Sequence, residues 1–77
     1  LIDDGDFVII KPGQQVNNGD MVVAWLVSEE EATLKKFYLK GGQVRLQPAN
    51  SQMEPFYYPA DNVEIHGKVV EVIRKLG

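Results

Sequence analysis

The sequence predicts an all-β domain, and three observations carry that prediction. Short runs rich in β-branched and apolar residues recur along the chain, separated by turn chemistry at short, regular spacing. A Gly41-Gly42 pair sits between two such runs and reads as a two-residue hairpin. No helical periodicity survives over a full window, and the helix-prone stretch Glu29–Ala32 is too short to stand alone. Together they describe a small coiled sheet or partly open barrel of about five strands.

The elements follow in order. Asp3-Asp4-Gly5-Asp6 is a turn, and Phe7-Val8-Ile9-Ile10 is the first strand, ended by Pro12-Gly13. Asn17-Asn18-Gly19-Asp20 is a second turn. Met21 to Val27 carries no charge, and a run of that length between turns suits a strand covered on both faces. Ser28-Glu29-Glu30-Glu31 reads as a solvated acidic tip. Ala32 to Lys40 is the next strand, and Gln43-Val44-Arg45-Leu46-Gln47 alternates polar with apolar, one face wet and one buried. Pro48 to Pro59, with its prolines, reads as irregular. Val63 to Ile73 is the last strand, with Gly67 marking a bulge or bend.

Composition narrows the function classes. At 77 residues the chain is one domain or part of one, near the lower limit for a self-sufficient core. There is no cysteine, so no disulfide or thiolate metal site is possible, and a reducing compartment fits. A net charge of −3 makes the chain as a whole a poor match for nucleic acid. No apolar run is long enough to span a bilayer as a helix. The opening Leu1-Ile2, apolar and without a methionine, reads as a cut within a larger protein.

The residue with the most chemistry is Lys35, inside Thr33-Leu34-Lys35-Lys36-Phe37. Strand side chains alternate, so Thr33, Lys35, Phe37 and Leu39 share one face, and Ala32, Leu34, Lys36, Tyr38 and Lys40 share the other. The first face is apolar apart from Lys35 and the small Thr33, which selects Lys35 over Lys36 as the desolvated lysine. Burial disfavours the ammonium form of a lysine, and a neutral amine can take a proton from a serine hydroxyl. A snorkelling or edge-strand lysine is the commoner outcome for such a pattern.

Other candidates carry less. His66 is the single histidine, and with no cysteine beside it a packed or surface role is the default. Asp3, Asp4 and Asp6 lack the spacing of a calcium loop. Trp25, Phe56, Tyr57 and Tyr58 read as core and rim aromatics; Phe56-Tyr57-Tyr58 has no interleaved basic residue, as a base-stacking platform would need. Ser28 sits in the acidic tip, where a hydroxyl commonly satisfies local backbone. Ser51 follows Asn50 in the irregular segment.

Five stretches resemble, in order and spacing, the C-terminal half of the LexA-type repressor and UmuD-type family of self-cleaving serine–lysine proteases. They are Ile2–Asp6 with its following strand, Val16–Ala24, Ala32–Phe37, Val44–Ser51 and Ile65–Arg74. The Leu46-Gln47-Pro48-Ala49-Asn50 segment and the Gly67-Lys68-Val69-Val70-Glu71-Val72-Ile73-Arg74 ending lean towards the repressors. The resemblance implies a LexA and signal-peptidase-like fold, with residues 1–77 forming a partial C-terminal autoproteolysis and dimerisation domain. It implies a serine nucleophile and an uncharged lysine base, and Lys35 is the residue that matches that base.

The family's Ser-Met element precedes the stretch matching Asp4-Gly5-Asp6, so the resemblance places the nucleophile upstream of Leu1, with the oxyanion donors and the scissile bond. The chain alone is then expected to be inactive. The intact parent is expected to be a cytoplasmic repressor of the DNA-damage (SOS) response. It would bind DNA through an upstream helix-turn-helix domain, form a homodimer partly through Val69–Arg74, and cleave itself when a RecA–single-stranded-DNA filament stimulates it. No cofactor, metal or membrane is implied. A UmuD-type polymerase accessory protein or phage-type repressor, a signal-peptidase-like enzyme and a non-catalytic β adaptor are the alternative readings.

Overall fold

A computed structural model describes residues 7–13, 15–50 and 52–73. The turn at Asp3–Asp6, Ser51 and Arg74 lie outside the described residues. Six strands form a single antiparallel sheet in the order β1-β6-β2-β3-β4-β5. They are β1 (Phe7–Lys11), β2 (Met21–Leu26), β3 (Glu31–Lys40), β4 (Gln43–Gln47), β5 (Phe56–Pro59) and β6 (Val63–Ile73). A single 3-10 turn, Ala60–Asn62, is the one helical element among the described residues. The sheet is open, with β1 and β5 at its edges. The all-β expectation holds.

One strand was not expected. Phe56–Pro59 pairs with β4 through Leu46↔Phe56, Arg45↔Tyr57, Val44↔Tyr58 and Gln43↔Pro59. Proline lacks the N–H that a central strand needs, so it reads as a strand breaker; an edge strand tolerates it. The irregular segment therefore ends earlier than its prolines suggest, and the sheet has six strands.

The hairpin at Gly41-Gly42 is as expected. Both glycines have positive φ, 55° and 77°, as a type I′ turn requires, and Lys40 pairs directly with Gln43. The bulge near Gly67 is also present. Val23 pairs with Gly67 but Ala24 with Ile65, leaving His66 as the extra residue on β6. A second irregularity lies where Ile9 pairs with Glu71 and Ile10 with Val69. Such bulges increase local twist and let one long strand serve two neighbours.

The turn at Asn17–Asp20 docks on β3. Gly19 N–H donates to Phe37 O at 2.7 Å, and Phe37 N–H donates to Asp20 O at 2.8 Å. The Asn18 side chain accepts from Leu39 N–H at 2.8 Å and donates to Leu39 O at 3.3 Å, so its amide pairs as a strand residue would. This turn satisfies a stretch of β3 that β2 does not reach.

The buried core is Val22, Ala24 and Leu26 from β2, Phe37 from β3, and Val44 and Leu46 from β4. Val16, Tyr58, Ala60, Val63 and Ile65 pack around it. The opposite face of β2, with Met21, Val23 and Trp25, is half-buried, so both faces of this central strand are at least partly covered. Of the four aromatics expected as core or rim, none is fully buried. Trp25 and Tyr58 are half-buried, while Phe56 and Tyr57 are exposed. The buried aromatic is Phe37, centred on β3 with β4 beside it.

Candidate active site

Antiparallel partners point to the same side of a sheet. Val22 pairs with Lys35 and Ala24 with Thr33, so both β3 residues share the side that buries Val22 and Ala24. Phe37, next on that side, is 8% exposed. Lys35 itself is half-buried, whereas Lys36 on the other face is exposed. The alternation argument therefore picks out the more buried of the two lysines. It fails at Leu39, which is 46% exposed at the end of β3, where the core no longer extends.

The Lys35 amine is held by its own strand. Its Nζ donates to Thr33 Oγ1 at 2.8 Å and to Leu34 O at 3.3 Å. Thr33 comes two residues earlier on the same face, so the spacing that hides the lysine also supplies its hydroxyl partner. Nothing in the sequence flagged Thr33 beyond its small size.

Lys35 and Thr33 line an open cleft of ≈ 400 Å³. Leu26, Leu46, Met53 and Phe56 give it an apolar floor and flank, and Glu29 and Glu31 an acidic rim. Tyr58, on the unexpected strand β5, closes the acidic side. Its hydroxyl donates to Glu29 Oε2 at 3.4 Å, a long and weak contact. Burial raises the Tyr58 phenol above its ordinary value, and the negative charges of Glu29 and Glu31 push the same way. Such a cleft, apolar with a few placed polar groups beside the amine, has the make-up of a ligand-binding site.

The described serine is placed elsewhere. Ser28 sits in the acidic tip beyond the end of β2, and roughly 13 Å of strand separates that tip from the Lys35 register. It is also engaged: Asn62 Nδ2 donates to Ser28 Oγ at 2.9 Å, and Ser28 N–H donates to Asn62 Oδ1 at 2.9 Å. The expectation that Ser28 satisfies local backbone is corrected, since the partner of its hydroxyl is the side chain of Asn62, distant in sequence. Ser51 lies outside the described residues.

His66 stacks on Trp25, with ring centroids 5.9 Å apart and planes 9° from parallel, on the face away from the core. Among the described residues no group of three or more acidic, histidine or cysteine side chains could hold a metal. No helix among them is long and apolar enough to cross a membrane.

Comparison with known proteins gives a consistent assignment. The Peptidase S24-like family model matches residues 1–70. The chain is 53% identical, over its full length, to the LexA repressor of Herpetosiphon aurantiacus. It is 47% identical over 76 residues to that of Roseiflexus sp. and 49% identical over 73 residues to that of Thermotoga neapolitana. The chain spans about a third of those proteins, 36%, 35% and 36% of their lengths respectively. With the match running from Leu1 through Val70, across the lysine strand and both of its neighbours, the chain belongs to the Peptidase S24-like family.

Proposed function

We propose that this chain is part of the C-terminal regulatory domain of a LexA-like transcriptional repressor of the SOS response, and that Lys35 is the general base of its self-cleavage. The observation that carries the catalytic part is the position of the Lys35 amine. It lies on the core side of β3, hydrogen-bonded to Thr33 and facing an open cleft. The likeness to LexA repressors over the whole length supports the wider assignment.

In this reading a serine contributed by the parent's preceding sequence attacks a peptide bond laid in the cleft. The serine Oγ forms the new bond to the carbonyl carbon, and its proton passes to a neutral Lys35 amine. The resulting ammonium then returns a proton to the departing backbone nitrogen. Lysine serves as a base only when its charge has been removed by desolvation. A segment closing over the half-exposed cleft would supply the missing desolvation. Activity can thus stay latent until a partner, a RecA–single-stranded-DNA filament, stabilises the closed form.

The edge formed by β1 and the end of β6 suits a homodimer contact. Phe7, Val70 and Ile73 are 66%, 51% and 45% exposed there, and exposed apolar side chains clustered on a small domain favour burial against a second copy. DNA would be bound through a separate upstream domain, and the protein would work in the cytoplasm. Replacing Lys35 with Ala in the full-length parent tests the catalytic assignment: self-cleavage at alkaline pH should be lost, and its retention would reject Lys35 as the base.

A further inference from the structure

The register of β3, β4 and β5 assembles a surface that no single stretch of sequence contains. Tyr38 pairs with Arg45, and Arg45 with Tyr57, so the three lie side by side on the face opposite the core. Lys36 and Lys40 flank Tyr38 on the same face of β3. The Arg45 guanidinium carbon sits 4.1 Å from the centre of the Tyr38 ring, forming a stacked cation–aromatic pair. Tyr57 beside it is 57% exposed. Between them lies a shallow cleft of ≈ 270 Å³ whose rim includes the amides of Asn18 and Gln43 and contains no carboxylate. Among the described residues none of the three cations has an ion-pair partner.

We infer that this face of β3–β4–β5 binds a short single-stranded nucleic acid. A sheet face offering the exposed Tyr57 ring, a guanidinium stacked on the half-buried Tyr38 and flanking lysines suits bases that stack and phosphates that run between cations. The chain carries a net charge of −3, so three cations with no acid among them are a local segregation of charge rather than a general property of its surface. An acidic peptide would use the cations but leave the rings idle; the exposed Tyr57 ring therefore favours the nucleic acid. The basic residues are interleaved with aromatics along β3, as Lys36, Tyr38 and Lys40, and across strands, as Tyr38, Arg45 and Tyr57. The inference stands apart from the role of Lys35, which lies on the other face.

Fluorescence anisotropy with a labelled fifteen-residue oligothymidine tests it on the chain as it stands. Saturable binding at low salt is expected, with log K falling with log salt at a slope of about −2, as three cations on a single strand give. Tyr57→Ala should weaken binding at least about fivefold, as loss of one stacking contact does, and Arg45→Glu should weaken it further. Lys11→Glu on β1, at the far edge of the sheet, should leave it unchanged. Circular dichroism melts of each variant confirm that the sheet persists. No binding at low salt, equal competition by polyglutamate, or insensitivity of a folded Tyr57→Ala variant would each overturn the proposal.

Discussion

Lys35 stands directly across from Val22 in the β2–β3 pair, and Val22 is completely buried. An amine placed opposite a core valine has lost part of its water, and within the strand its nitrogen is compensated by only one hydroxyl and one carbonyl. A half-desolvated cation contributes little to stability, since desolvation offsets what its hydrogen bonds return.

Lys35→Met should therefore leave the fold intact, with unfolding free energy changed by no more than about 1 kcal/mol in either direction. The same substitution in the full-length parent should abolish self-cleavage. Urea denaturation of the chain and a cleavage assay of the parent separate the two effects. A large destabilisation would mark Lys35 as a structural residue.

At Gly67 of β6 the Ile10 side chain of β1 packs against the backbone. A Cβ built there meets Ile10 Cβ and Cδ1 at 3.1 Å. The contact at Ile10 Cβ is hard to relieve because that atom moves only with the β1 backbone. Gly67→Ala should cost about 1–3 kcal/mol, the usual range for overpacking. Ile10→Ala on the same background should recover part of the loss, because the two side chains compete for one space. Additive losses in a double-mutant cycle measured by urea denaturation would show that the close approach is not the cause.

Much of this was legible from residue order. Alternation along Thr33–Phe37 placed Lys35 and Lys36 on opposite faces, and paired glycines fixed the β3–β4 turn. What escaped were features set by partners distant in sequence. β5 was hidden by the prolines at its ends, because an edge position is visible only once the neighbour is known. The Ser28–Asn62 clamp and the Tyr38–Arg45–Tyr57 row each join segments that no local pattern connects. Tyr58 entered the cleft by the same route, through the pairing of β5 with β4.

Asn18→Ala should loosen the join between the Asn17–Asp20 turn and β3. The Asn18 amide both accepts from and donates to Leu39. Losing exposed hydrogen bonds of this kind costs about 0.5–1.5 kcal/mol. The diagnostic readout is local: the Leu39 amide hydrogen, now without its acceptor, should exchange faster with solvent. The Phe37 amide, bonded to Asp20 backbone oxygen, should change less. Equal acceleration at both amides would mean that the whole turn detaches and that Asn18 is not a separate anchor.

Asp20 contributes to the acid side of the stability profile. Its Oδ2 accepts from Asn17 N–H at 2.8 Å and lies 3.4 Å from Lys68 Nζ on β6. The Asn17 hydrogen bond is the main cause of a carboxyl pKa below the ordinary 3.8; desolvation opposes it, and the Lys68 hydrogen bond and charge lower the pKa further. A carboxylate whose folded pKa lies below its unfolded value stabilises the fold above the unfolded pKa, and that contribution is lost as pH falls through the folded pKa. The chain should therefore lose stability below about pH 3.8, and Asp20→Asn should flatten that part of the curve. Lys68→Met should flatten it less, because the backbone N–H remains. A carboxyl resonance of Asp20 titrating at or above its ordinary value in a folded sample would show that the turn does not hold the ionised form.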